Sequence, residues 1–268
     1  MAAGALPNLI IIGAMKCGTT SLHHYLKLHP SIGMSVQKEL HFFQGAASWE
    51  RGQDWYRSCF DPTKPVRGES SPGYSNFPRI GGVPERMHAV IPDAKLIYLV
   101  RDPVKRTLSH YRHMVAERGE ERTLREVLAD PAEPYTRRSC YHFQLEQYLP
   151  FYDLGKILVV QQEALLLDRV RTMANIFEWL GVDPAFSSIR FRYRRHRSVR
   201  KRRLTELGQR LSGTWPMRRV AGLSEPLRWV VVTAPSPTAS NGYASSTSTV
   251  SIVCCVTRNH VGPPNTAI

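Results

Sequence analysis

The 268-residue chain is 42% hydrophobic and carries 36 Lys and Arg against 22 Asp and Glu. That suffices to bury a domain-sized core, and the ordinary composition excludes collagen-like, coiled-coil and wholly disordered chains. Of the formal net charge of +14, residues 190–203 (RFRYRRHRSVRKRR), with eight Arg, one Lys and no acid, supply +9 and leave +5 elsewhere. The excess is therefore local, which points to an anion site or patch rather than a nucleic-acid-coating protein.

The N-terminal apolar run lacks a basic stretch before it and reads as a buried strand rather than a signal peptide. No stretch approaches the roughly 18 apolar residues of a membrane span. The five cysteines, Cys17, Cys59, Cys140, Cys254 and Cys255, are odd in number and form no zinc-like pair set. Reduced thiols and a soluble, cytoplasmic protein are the expectation.

In chain order, Asn8–Ala14 (NLIIIGA) is a continuous β-type run followed by a Gly-bounded loop. Leu22, Tyr25 and Leu26 then mark a helix that ends near His29–Pro30. Val66–Ser70 is a strand stopped by Pro72, and Lys95–Arg101 (KLIYLVR) a stronger one broken by Asp102–Pro103. The helix after it carries Leu108, Tyr111 and Val115. Another carries Tyr141, Leu145, Tyr148 and Leu149 and precedes the strand Lys156–Gln161. Val170, Met173, Ala174, Phe177 and Leu180 form a last helix, closed by Gly181 where a left-handed cap belongs. Strands alternating with helices, and apolar on both faces, predict an α/β fold: a parallel sheet covered by helices on both faces. A single domain is expected over 1–228. Trp229–Ile268, with Arg258 as its one charged residue and a dozen Ser and Thr, reads as a flexible tail without assigned function.

Between the first strand and the first helix lies Gly13-Ala-Met-Lys16-Cys-Gly18-Thr19-Thr20. Glycines allow close approach of the backbone, and the N–H groups of Gly18, Thr19, Thr20 and Ser21 are expected to lie unpaired at a helix N-terminus, where an anion is favoured. Lys16 adds a mobile positive charge. The loop is P-loop-like but not a Walker A loop, which needs Lys directly after the second Gly and then Ser or Thr for Mg²⁺. Here Thr19 holds that place and Lys16 precedes the Gly by two residues, which disfavours metal-dependent ATP hydrolysis.

The segments LIIIGAMKCGTTSLHHYL, KELHFF and LIYLVRDPVKRTLSHYRH closely resemble the sulfotransferases that use 3′-phosphoadenosine 5′-phosphosulfate (PAPS), nearest to their bacterial and heparan-sulfate-type branch. The likeness covers roughly residues 8–203. It implies a transferase that moves the sulfuryl group of PAPS in line to a hydroxyl of a carbohydrate or glycolipid, yielding PAP and requiring no metal. Lys16, Cys17, Gly18, Thr19, Thr20 and Ser21 resemble the 5′-phosphosulfate loop, with Lys16 stabilising the leaving phosphate. Arg101 and Ser109 match the family's 3′-phosphate-binding pair. Independently, Arg101 ends a strand, where α/β sheets bind ligands, and Ser109 follows eight residues on, about two helical turns.

Glu39, in Gln37-Lys38-Glu39-Leu40-His41-Phe42-Phe43, aligns with the family's catalytic base, and apolar Leu40, Phe42 and Phe43 are expected to raise its pKa toward that task. The alternative is a solvated loop acid paired with Lys38. His41 is the reserve base or a substrate-positioning residue. Tyr141 resembles a residue near the family's nucleotide or acceptor cleft, or else is a core tyrosine. Two departures stand out. Heparan-type members carry Lys after the Glu of a Glu-Lys-(Thr/Ser) strand end, whereas here Glu69 precedes Ser70-Ser71-Pro72. The later nucleotide-clamping loop corresponds to the Arg-dense Arg192–Arg203, where Arg200 or Arg202 is a candidate clamp. Two rivals remain at this point, a nucleotide kinase-like phosphotransferase and a non-catalytic anion or nucleic-acid binder using Arg190–Arg203. No nucleic-acid module is recognisable, and the aromatics within the basic run are only Phe191 and Tyr193.

Overall fold

The computed structural model describes residues 4–192. Both the Ser/Thr-rich segment and the candidate clamp residues Arg200 and Arg202 lie outside them. The chain runs β1 (Leu9–Gly13), α1 (Thr19–Leu26), β2 (Ile32–Met34), α2 (Ala46–Trp49), α3 (Gly52–Ser58), β3 (Val66–Ser70), α4 (Val83–Val90), β4 (Lys95–Val100) and α5 (Pro103–Arg118). It continues through α6 (Leu124–Ala129), α7 (Pro134–Arg137), α8 (Tyr141–Leu145), β5 (Ile157–Gln161), α9 (Gln162–Leu167) and α10 (Arg169–Leu180).

Five parallel strands form one sheet in the order β2-β3-β1-β4-β5. The central strand explains why the apolar run is continuous rather than alternating, since Leu9, Ile10, Ile11 and Ile12 are all fully buried. Each such side chain contributes about 1.5–3 kcal/mol by leaving water, and truncating Ile11 to alanine would cost about 2–5 kcal/mol. Because β1 lies between β3 and β4, the chain winds away from it in both directions. The crevice beyond the C-terminal strand ends at such a switch point is where α/β sheets place ligands. The loops after β1, β3 and β4 all open there. Among the described residues, no helix is long and apolar enough to cross a membrane.

Three elements differ from the sequence pattern. Helix α5 buries Arg106, Thr107, Ser109 and His110, whereas Leu108, Tyr111 and Val115 are only half-buried. Its inner face packs on the polar segment around Tyr135 and Ser139, so hydrogen bonds replace the expected apolar stripe. The helix at Tyr141 stops at Leu145; Tyr148 is buried in the following turn while Leu149 is exposed. Val170 is exposed, and Ile176 takes the core place beside Met173, Phe177 and Leu180. That helix does end at Gly181 in the left-handed conformation, with φ 79°.

Candidate active site

The cleft at the C-terminal ends of β1, β3 and β4 has a volume of about 1120 Å³. That is just above the ~300–1,000 Å³ usual for small-molecule sites, room for a nucleotide and part of a second substrate. Lys16, Gly18, Thr19, Thr20, Ser21, Arg101 and Ser109 line it, and so do Lys38, Glu39, His41 and Arg138. The two ends of the expected donor grip, Lys16 and Arg101, therefore share one cavity. They also touch, since Arg101 Nη1 donates to the Lys16 carbonyl at 3.4 Å.

The loop after β1 turns tightly, with Cys17 N–H donating to the Ala14 carbonyl at 3.1 Å and Lys16 at its crest in the left-handed region, φ 73°. Gly18 starts α1 with φ 94°, a conformation that costs a side-chain-bearing residue. The N–H groups of Gly18, Thr19 and Thr20 lie at the open end of the helix, where no intrahelical acceptor exists. Ser21 differs from expectation: its N–H closes onto the Gly18 carbonyl at 2.9 Å.

Cys17 and Tyr141 stand behind the loop instead of lining the cleft. The Cys17 side chain is fully buried, its Sγ 3.7 Å from the Tyr141 hydroxyl. Burial pushes that thiol up to about 11, so it is protonated at neutral pH and hydrogen-bonds without acting as a thiolate. The Tyr141 hydroxyl donates to the Arg101 carbonyl at 2.7 Å and accepts from the Arg101 N–H at 3.3 Å. One phenol thus pins the loop after β1 to the end of β4. Ser109, on α5, is buried at the cleft wall, and Asp102 caps that helix by accepting from the Lys105 N–H at 2.8 Å.

Across the cleft, the segment 38–44 folds over the end of β3. Glu39 and His41 have φ of 66° and 58°, so Lys16, Glu39 and His41 are the non-glycine residues with positive φ among the described residues. Such residues cost of order 1–3 kcal/mol each and gather at functional sites. The double left-handed kink sends Leu40, Phe42 and Phe43 into the core and turns Glu39 and His41 outward. The Glu39 carboxylate is accordingly not wrapped by those apolar neighbours. It is half-exposed, hydrogen-bonded to Lys38 Nζ, and its Oε2 lies 3.7 Å from His41 Nε2. Burial holds the His41 imidazole below its ordinary range, against the upward pull of Glu39, so it is neutral at pH 7.

Two arginines missed in the sequence sit beneath the cleft. Arg138 is 8% exposed and donates to Met15 Sδ and to the Pro72 carbonyl, each at 3.0 Å. Arg106 is fully buried and donates to Ser139 Oγ and the Tyr135 carbonyl. Neither pairs with a carboxylate among the described residues, and Arg138 Nε and Arg106 Nη1 have no hydrogen-bond partner there. Burial, then the nearby Arg106 charge, pushes Arg138 down to about 10, so it remains cationic. Arg138, which lines the cleft, is thus a buried cation without a carboxylate partner among the described residues, as a floor built to receive an anion would be. The sequence signal for Arg138 was faint, a polar pair preceding an apolar helix.

The Sulfotransferase domain family matches residues 6–210. The chain belongs to this family of sulfotransferases. Their common donor is PAPS, which leaves as PAP. Human heparan sulfate glucosamine 3-O-sulfotransferase 6 is 31% identical over 185 residues, 66% of this chain and 52% of that protein. The chain spans about half, or less, of the length of the curated relatives it matches. A sulfotransferase from Alicyclobacillus acidocaldarius has a crystal structure that superposes with TM-score 0.61 at 28% identity, over 84% of this chain and 99% of that one. A mouse sulfotransferase solved with PAP shares the fold at TM-score 0.50 and 14% identity, over 82% of this chain and 69% of that one. The chain keeps its expected fold class, and family membership sets the kinase-like alternative aside.

The residues present fit PAPS: a crest lysine, open N–H groups, an arginine and a serine on the same cleft, and the buried Arg138 cation in its lining. The nucleic-acid reading loses one of its two aromatics. Phe191 is buried against Tyr25 at 5.6 Å and packs near Phe177 and Phe186. Tyr193 and the remaining basic run lie outside the described residues.

Proposed function

We propose that the chain transfers the sulfuryl group of PAPS to a hydroxyl of a carbohydrate or glycolipid acceptor, with Glu39 as proton acceptor and Lys16 as the cation at the leaving group. The observation that carries it is the meeting, on one cleft, of three strained residues: Lys16 on the donor wall, Glu39 and His41 on the facing one.

When bound, PAPS supplies an activated sulfuryl group and a phosphate leaving group. The open N–H groups of Gly18, Thr19 and Thr20 would hold the 5′-phosphate, and Arg101, with its planar donor fork, would hold the 3′-phosphate beside Ser109. Lys16 would meet the negative charge that develops on the departing oxygen, a term that grows from ground state to transition state. Glu39 would take the acceptor's hydroxyl proton as the new S–O bond forms. Lys38 and His41 hold the Glu39 carboxylate from two sides. The neutral His41 imidazole is the second group in the cleft able to accept that proton. A carbohydrate acceptor is supported by the heparan sulfate relative named above, and by the basic side chains of Lys38, Lys105 and Arg112 on the cleft lining.

Transfer from radiolabelled PAPS to a panel of carbohydrate hydroxyl acceptors tests this reading. Lys16→Ala should lower turnover by about 10²–10³-fold, as loss of one preorganised donor does elsewhere. Unchanged turnover would remove Lys16 from the leaving-group role.

A further inference from the structure

Glu69, the last residue but one of β3, is fully buried, and no cation pairs with it among the described residues. An isolated buried carboxylate is among the most costly groups a fold can hold unless donors surround it. Here they do. Its Oε1 accepts from the Tyr56 and Tyr74 hydroxyls, both at 2.7 Å, its Oε2 from Ser71 Oγ at 2.9 Å, and the Leu40 N–H also bonds to it.

These donors lead to one place. Ser71 Oγ, while donating to Glu69, accepts the His41 N–H at 3.1 Å. The Tyr74 hydroxyl accepts the Phe43 N–H at 3.4 Å. Beside them, the Glu39 N–H bonds to the Ser70 carbonyl at 3.1 Å. Four backbone N–H groups, those of residues 39, 40, 41 and 43, are therefore anchored on β3 and its turn, three of them through the Glu69 carboxylate. A non-glycine residue stays left-handed only where its surroundings over-determine it, and this segment holds two such residues, Glu39 and His41.

We infer that Glu69 is the positioning residue of the acceptor wall: through Leu40, Ser71 and Tyr74 it locks the segment that aims Glu39 and His41 into the cleft. It touches no reacting atom. This inference rests on the reading of Glu39 as proton acceptor for its consequence, but not for its structural content.

The test measures hydrogen exchange, PAP affinity by calorimetry and steady-state kinetics on the full chain with Glu69→Gln, which keeps the volume and removes the charge. Amide exchange at Leu40, His41 and Phe43 should quicken by about tenfold to a hundredfold, the worth of hydrogen bonds to a charged group. Amides of β1 and β4 should keep their protection, PAP affinity should stay within about twofold, and kcat should fall by about tenfold or more with the acceptor KM little changed. Unchanged loop exchange, or acceleration shared equally by β1 and β4, would overturn the inference. If Glu69→Gln does not fold, Ser71→Ala removes only the relay to His41, and a selective rise at the His41 amide is expected; none would overturn the inference. Full activity of Glu39→Gln together with a loosened loop would instead remove the proton-acceptor reading and leave the lock in place.

Discussion

The donor wall of the cleft is anchored in the sheet itself. Lys16 follows β1, Arg101 follows β4, and a single phenol, Tyr141, ties the two together from behind. The acceptor wall hangs on a short segment with two left-handed residues, fastened through side chains to a buried carboxylate. On the proposed reading, the nucleotide would be met by backbone and strand ends, and the acceptor by a loop with side-chain moorings. The lesson is that binding and proton transfer should be separable by mutation.

The largest break expected on the donor side comes from Lys16→Ala, with turnover falling by the two to three orders of magnitude given above while PAP still binds. Arg101→Ala comes next. Losing a charged hydrogen-bonding group of about 1.5–3 kcal/mol should weaken PAP by roughly 10–100-fold in calorimetry, with Ser109→Ala milder. Affinity unchanged in both variants would detach the 3′-phosphate from that wall.

Acid sharpens the comparison from another direction. His23 is held down to about 4, by burial first and then by the Lys38 charge, and His110 to about 2, by burial and then Arg106. Both stay neutral in the fold, whereas the unfolded chain takes up protons from 6.5 downward. The unfolded state thus binds more protons, and stability should drop as pH falls below 6.5, toward 4 for His23 and still lower for His110. The expected slope is about 1.4 kcal/mol per pH unit for each histidine. Urea melts across that window check it; a flat midpoint would contradict it. The smallest effect is expected from Tyr141→Phe, about 1 kcal/mol of stability and a modest loss of PAP affinity as Arg101 loosens.

The donor wall was legible because local rules wrote it. An apolar run, a Gly-bounded loop and an Arg at a strand end are sequence-adjacent signals, and Lys16, Arg101 and Ser109 fell on one cleft as expected. What escaped was long-range and polar. The anchors of Glu69 come from Tyr56, Tyr74 and Leu40, as many as 29 positions away, so the carboxylate stood out only for lacking a lysine after it. The buried face of α5 is not legible in the sequence because hydrophobic periodicity cannot see Arg106 and His110 turned inward to a polar neighbour. Adjacent Leu40, Phe42 and Phe43 predict an apolar setting for Glu39; left-handed φ values at Glu39 and His41 separate the two sets.

Glu39→Gln, assayed for sulfuryl transfer and titrated with PAP in parallel, bears most directly on the separation of the two walls. Transfer should fall by about 10²–10⁴-fold, the range of a lost general base, while PAP affinity stays within about twofold. Full transfer, or PAP affinity falling in step with transfer, would contradict the account.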